Sequence, residues 1–100
     1  TLTGLRGVCL DWVKVAAPNG VLLELVHFDS PARGTHEYRD YASPGINHLC
    51  LQVDDVEAMH QELAYRGVRC HPVQTDPPGR VKNMACYDPD GTIVELVQVL

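Results

Sequence analysis

The chain has 100 residues, 45% of them hydrophobic, and a formal net charge of −5 at neutral pH, which suits one compact domain with a core modest enough for a partner chain to finish. Its Lys and Arg residues, 8 in all and set singly, form no basic stripe able to neutralise a phosphate backbone, which excludes nucleic acid as a partner. No apolar run approaches the roughly 18 residues that cross a bilayer, and TLTGLRGVCL lacks a signal peptide's charged and apolar regions, so no membrane partner and a cytoplasmic location are expected.

In chain order, GVCLDWVKVAAP and VLLELVHF flank Pro18-Asn19-Gly20, residue types that tolerate a tight turn, and predict a β-hairpin. Asp29 to Gly45 (DSPARGTHEYRDYASPG) is polar and punctuated, without helical or strand periodicity, and reads as a connection. INHLCLQV then alternates as a strand. Asp54 stands where it can cap a helix, with Glu57 reaching back as in a capping box. Val56, Met59 and Leu63 recur at spacings of three and four, giving one apolar stripe on a helix that runs to about Arg66, and Gly67 supplies its left-handed stop. VRCHPVQT predicts a strand near a sheet edge because of its proline, DPPGR a turn, and VKNMACY with TIVELVQV a second hairpin around Asp88-Pro89-Asp90-Gly91. The four cysteines, Cys9, Cys50, Cys70 and Cys86, are widely spaced with no CxxC pair and predict reduced, mostly buried thiols.

The two hairpins repeat one text. PNGVLLELVHF (18–28) superposes on PDGTIVELVQV (89–99) at an offset of 71 residues (89 − 18), matching Gly20 with Gly91, Glu24 with Glu95 and Leu25 with Leu96. A repeat implies two copies of one unit, yet the strand and helix that precede the second hairpin have no counterpart before the first. The expected organisation is therefore a hairpin remnant of a first module (1–30), a linker (31–45) and a complete βαβββ module (46–100), an α+β fold.

GINHLCLQVDDVEAMHQELAYRGV followed by YDPDGTIVELVQ resembles the second βαβββ module of the vicinal oxygen chelate superfamily, the glyoxalase, bleomycin-resistance and extradiol dioxygenase group. Residues 8–31 resemble the last two strands of a preceding module. The resemblance implies a glyoxalase-like fold; it fixes no single activity, because members include lyases, epimerases, ring-cleaving dioxygenases, thiol transferases and non-catalytic drug-binding proteins.

Strand alternation sorts side chains by face. Ile46, His48, Cys50 and Gln52 share one face, leaving Asn47, Leu49, Leu51 and Val53 for the helix. Glu95 falls with Ile93 and Val97, and Glu24 with Leu22 and Val26. A carboxylate among aliphatics in mid-strand must neutralise, find a cation or remain solvated. Two such glutamates and an imidazole form an ordinary first shell for a divalent metal (Zn, Ni, Mn or Fe), so Glu24, His48 and Glu95 are the candidate ligands. The competing reading makes the glutamates solvated rim residues and His48 a neutral core histidine. In glyoxalase-like members the ligands occupy the first and last strands of both modules, which the resemblance carries onto these three positions, with the fourth on the absent strand.

If the second hairpin closes with Tyr87 opposite Thr92, then Lys82, Met84 and Cys86 share Glu95's face, and Asp11 and Val13 accompany Glu24. Cys50, Met84 and Val13 are the candidate substrate-binding residues. His27, His36, His60 and His71 read as structural or solvated. The resemblance further implies capture of a small substrate with neighbouring oxygens and stabilisation of an enolate by the cation, with Glu95, or Glu24 in a pseudo-symmetric site, moving the proton. Three functions follow as expectations: a metal-dependent lyase or isomerase, a non-catalytic binder of drug-like molecules, and, lower, an extradiol-type dioxygenase. The apolar outer face assigned to the first hairpin (Leu10, Trp12, Leu23, Leu25) predicts a homodimer with exchanged elements.

Overall fold

A computed structural model describes residues 6–30 and 40–100. The chain forms two compact units, Thr1–Gly34 and Thr35–Leu100. The part of the expected linker at 31–39, including His36, lies outside the described residues.

The first unit is a two-stranded antiparallel hairpin, β1 (Cys9–Ala16) with β2 (Leu22–Ser30). Its turn is a three-residue loop, Pro18 to Gly20, with Ala17 N–H donating to Val21 O at 2.8 Å. Gly20 takes φ +88°, the left-handed geometry that lets a short loop match the twist of its strands. Lys14 is opposite Glu24, Trp12 opposite Val26 and Leu10 next to Phe28, while Val13 faces Leu25 and Val15 faces Leu23. Leu10 and Trp12 therefore lie on Glu24's face and Leu23 and Leu25 on the other. The single apolar face expected from these four residues does not form; apolar side chains are exposed on both faces, including Trp12, Leu25 and Val26.

The second unit has the expected βαβββ order: β3 (His48–Gln52), α1 (Val56–Tyr65), β4 (Gln74–Thr75), β5 (Val81–Tyr87) and β6 (Ile93–Val99). The sheet runs β3-β6-β5-β4, with β3 parallel to β6 and the remaining pairs antiparallel. Pro72 removes a ladder donor, and β4 shrinks to two edge residues, preceded by an isolated Cys70–Cys86 bridge.

Helix α1 starts one residue later than the sequence suggests. Asp55, not Asp54, is the N-cap, accepting from Ala58 N–H at 3.0 Å. Glu57 pairs with Lys82 Nζ at 3.2 Å instead of closing a capping box. Gln98 Oε1 takes the Val56 N–H, another donor of the first turn. Gly67 ends the helix at φ +80°. The stripe faces inward as its spacing requires: Val56, Met84, Cys86 and Leu96 are the buried centre, with Met59, Leu63, Val53, Val68, Cys70, Val73 and Val94 packed around them. Leu51, expected to join them, is exposed on edge strand β3. Cys86 is buried and Cys70 half-buried, whereas Cys9 and Cys50 are exposed, contrary to the expectation of mostly buried thiols; all four are free.

Candidate functional site

The second hairpin turns as the first does. Asp88 N–H donates to Thr92 O at 3.0 Å and Gly91 takes φ +82°, so the loop is Pro89 to Gly91 and Tyr87 pairs with Ile93, not with Thr92. One residue of register exchanges the faces of a strand. Asn83, Ala85 and Tyr87 thus join Glu95's face, while Lys82, Met84 and Cys86 turn to the helix side. Met84, a candidate substrate-binding residue, is 3% exposed and packs in the core, yet it is also among the residues lining the cavity beside Glu95. Val13, its counterpart at the 71-residue offset, lies opposite Leu25 on the face away from Glu24 for the same reason. Asp11 likewise lies opposite His27, away from Glu24.

His48 and Glu95 come together. In the parallel register His48 sits beside Ile93 and Cys50 beside Glu95, which sets the imidazole and carboxylate one step apart on one face. His48 Nε2 lies 3.8 Å from Glu95 Oε2. The Asn47 amide nitrogen donates to Tyr41 O at 2.8 Å and Ser43 O at 3.0 Å. Its amide oxygen is left facing His48 Nδ1, which favours a proton on Nδ1 and leaves Nε2 as the ring nitrogen nearer Glu95. Metal–ligand bonds of N and O donors run about 2.0–2.2 Å, so two donors within about 4 Å can share one ion. The observed separation meets that limit, and the anchored Nδ1 is the usual outer support of a ligating imidazole. Cys50 shares this face, and its thiol is pushed up by burial and by Glu95.

Tyr41 is delivered by a turn in which Asp40 Oδ1 accepts from Ala42 N–H at 2.9 Å. Its hydroxyl donates to Glu95 Oε2 at 3.4 Å, and its ring meets His48 edge-on with centroids 4.8 Å apart. Burial, then Glu95, raises the Tyr41 phenol above its ordinary value of 10.0, so it remains a donor at neutral pH.

Beside these residues opens a cavity of about 510 Å³, whose lining includes Tyr41, Glu95, Ala85, Asn83, Tyr87 and His71. That volume is in the range of small-molecule pockets. Tyr41, Asn47, Tyr87 and His71 were not among the expected site residues. For His71 the signal was present: with Cys70 facing the core, alternation turns His71 to the opposite side.

Glu24 belongs to the hairpin unit, exposed on β2 with Lys14 across the ladder, and this lysine offers it a cation of its own. On the hairpin's other face, Asp11, His27 and Asp29 gather donor atoms within 4.8 Å of one another, all exposed, with His27 Nδ1 3.4 Å from Asp29 Oδ1.

The profile of the Glyoxalase/Bleomycin resistance protein/Dioxygenase superfamily matches residues 11–96. The chain is 33% identical over 89 residues to the protein YaeR of Escherichia coli (strain K12), covering 88% of this chain and 67% of that protein. It is 31% identical over 78 residues to YwkD of Bacillus subtilis (strain 168), covering 77% of this chain and 58% of that one, so it spans less than two thirds of YwkD. In fold it is similar to the crystal structure of a glyoxalase family protein from Bacillus cereus. The TM-score is 0.87 at 20% identity, over 99% of this chain and 68% of that one.

Proposed function

Because the chain belongs to the glyoxalase/bleomycin resistance/dioxygenase superfamily, we propose that it contributes His48 and Glu95, with Glu24, to a divalent-metal centre of a glyoxalase-type lyase or isomerase acting on a small substrate with vicinal oxygens. The observation that carries this reading is the 3.8 Å approach of His48 Nε2 to Glu95 Oε2, with Nδ1 held by Asn47. A bound cation supplies Lewis acidity to the substrate oxygens. Glu95 holds or moves the proton, as its half-buried carboxylate has one partner in the Tyr41 hydroxyl and opens onto the cavity. Glu24 is the second carboxylate of the set and the alternative base.

Calorimetric titration with Mn²⁺, Zn²⁺ and Ni²⁺ tests the centre. The chain is expected to bind at least one of them, and His48→Ala and Glu95→Gln to weaken it at least a hundredfold. Full affinity in a Glu24→Ala/Glu95→Ala double variant would remove this reading.

The cavity itself favours a second reading, a non-catalytic binder of a drug-like molecule. Its walls include Tyr41, Tyr87, Pro72 and Ile93, apolar and aromatic surfaces that need no ion to hold a ligand. Under that reading a chelator leaves ligand affinity and thermal stability unchanged. An extradiol-type dioxygenase ranks below both, since its centre wants two histidines and one carboxylate, and this module supplies one of each. The exposed apolar residues on both hairpin faces support a homodimer, with exchanged elements, tested by sedimentation. Four free thiols accord with a cytoplasmic location.

A further inference from the structure

The hairpin unit carries a donor cluster of its own, on the face away from Glu24. Asp11 stands opposite His27 in the ladder, so their side chains leave β1 and β2 side by side. Strand alternation sets Cys9 with Asp11 and Asp29 with His27. At this end the register slips: Leu10 pairs with Phe28 but Cys9 with Ser30, which leaves Asp29 as the extra residue of a β-bulge. A bulge bends its strand and re-aims a side chain. The Asp29 carboxylate lies between the imidazole and the thiol, with Oδ1 3.4 Å from His27 Nδ1 and Oδ2 4.0 Å from Cys9 Sγ. One donor atom each from Asp11, His27 and Asp29 falls within 4.8 Å of the others.

At metal–ligand bond lengths of about 2.0–2.3 Å, two ligands of one tetrahedral ion stand about 3.4–3.6 Å apart. The His27–Asp29 pair already has that spacing, and the Cys9–Asp29 pair exceeds it by a few tenths of an ångström. All four side chains are exposed, so a change of rotamer closes the rest. Two carboxylates side by side on one face repel each other, and a cation between them removes that cost. Calcium and magnesium take oxygen ligands; an imidazole and a thiol in the set select a softer ion.

We propose that Cys9, Asp11, His27 and Asp29 form a metal site for a zinc-class divalent ion, sharing no ligand with the centre assigned to Glu24, His48 and Glu95. The thiol binds as thiolate: its S–H bond breaks, the sulfur lone pair forms the bond to the metal, and the proton goes to solvent. The ion ties β1 to β2 at the end remote from the Pro18–Gly20 turn. A lone two-stranded hairpin is marginally stable in water, and an ion bound only by the paired strands stabilises them by linkage.

Cobalt(II), whose absorption reports its ligands, tests the site when titrated into the chain under a non-thiol reductant. The wild-type chain is expected to develop a thiolate-to-cobalt charge-transfer band that Zn²⁺ bleaches. Ca²⁺ in roughly hundredfold excess should leave the band intact. Cys9→Ser should abolish it, whereas Cys50→Ser, which alters the thiol beside Glu95, should keep it. His27→Ala and Asp29→Asn should each weaken Co²⁺ binding roughly tenfold or more. His48→Ala/Glu95→Gln should still bind one ion with the band, so failure of that centre leaves this one readable. A wild-type chain without the band overturns the inference, as does a band that survives Cys9→Ser or an affinity unmoved by His27→Ala. Loss of the band in His48→Ala/Glu95→Gln assigns it to the other centre and overturns the inference too. Displacement by Ca²⁺ does the same, reducing the cluster to an acidic surface.

Discussion

Asn47 shows how a residue on the helix-side face of the alternation can control one on the other. With its amide hydrogens committed to the Tyr41 and Ser43 carbonyls, its oxygen faces His48 Nδ1 and orients the ring. Outer supports of this kind commonly change metal affinity tenfold to a hundredfold. Asn47→Ala is therefore expected to weaken Mn²⁺ or Zn²⁺ binding by that range while His48 remains in place; unchanged affinity by calorimetry would mean that another group orients the ring. His48 and Glu95 were legible from alternation and from the repeated glutamate. Asn47 and Tyr41 were not, because their contribution comes from the turn beginning at Asp40, whose side-chain bonds follow no strand or helix period.

At the scale of elements, the two hairpins share one turn, and its third residue decides the faces of both. Gly91 at φ +82° and Gly20 at φ +88° occupy a region that a Cβ makes costly. Gly91→Ala is expected to destabilise the second unit by about 1–2 kcal/mol, read as a lower denaturant midpoint at unchanged slope. Asp55→Ala removes the helix cap and should cost about 1 kcal/mol, whereas Asp54→Ala should cost almost nothing. The existence, type and order of the elements in the second unit were readable from hydrophobic period, proline and glycine. The register was not: a loop of three residues and one of four share the letters PDG, and the choice moved Met84 off Glu95's face and Val13 off Glu24's. Only the backbone bond from Asp88 to Thr92 settles it.

Across the whole molecule, the repeat places equivalent residues in unequal surroundings. Leu96 is 4% exposed against α1, while its counterpart Leu25 is 53% exposed. Leu96→Ala is expected to cost about 2–5 kcal/mol of unfolding free energy; Leu25→Ala costs less than about 0.5 kcal/mol in a lone chain but approaches the Leu96 loss in the proposed homodimer, which covers it, so a near-zero loss at concentrations where the chain sediments as a dimer would place Leu25 outside that interface. Stability should also fall in alkali. Burial raises the Cys86 thiol above its ordinary 9.0, with smaller contributions from Cys70 and Asp88, and Tyr41 is raised above 10.0. The folded chain holds these protons more tightly than the unfolded chain. The stabilisation is thus complete below pH 9 and is lost as pH rises through the raised values, so unfolding midpoints should decline above pH 9. A profile flat to pH 11 would contradict it. Finally, the parallel pairing of β3 with β6 joins residues 45 positions apart, His48 to Ile93, whereas β5 and β6 meet across a short loop. Loop closure over that span disfavours early pairing. The imidazole and the carboxylate are thus expected to meet late in assembly, so that anything clasping them together would fasten the module's slowest seam.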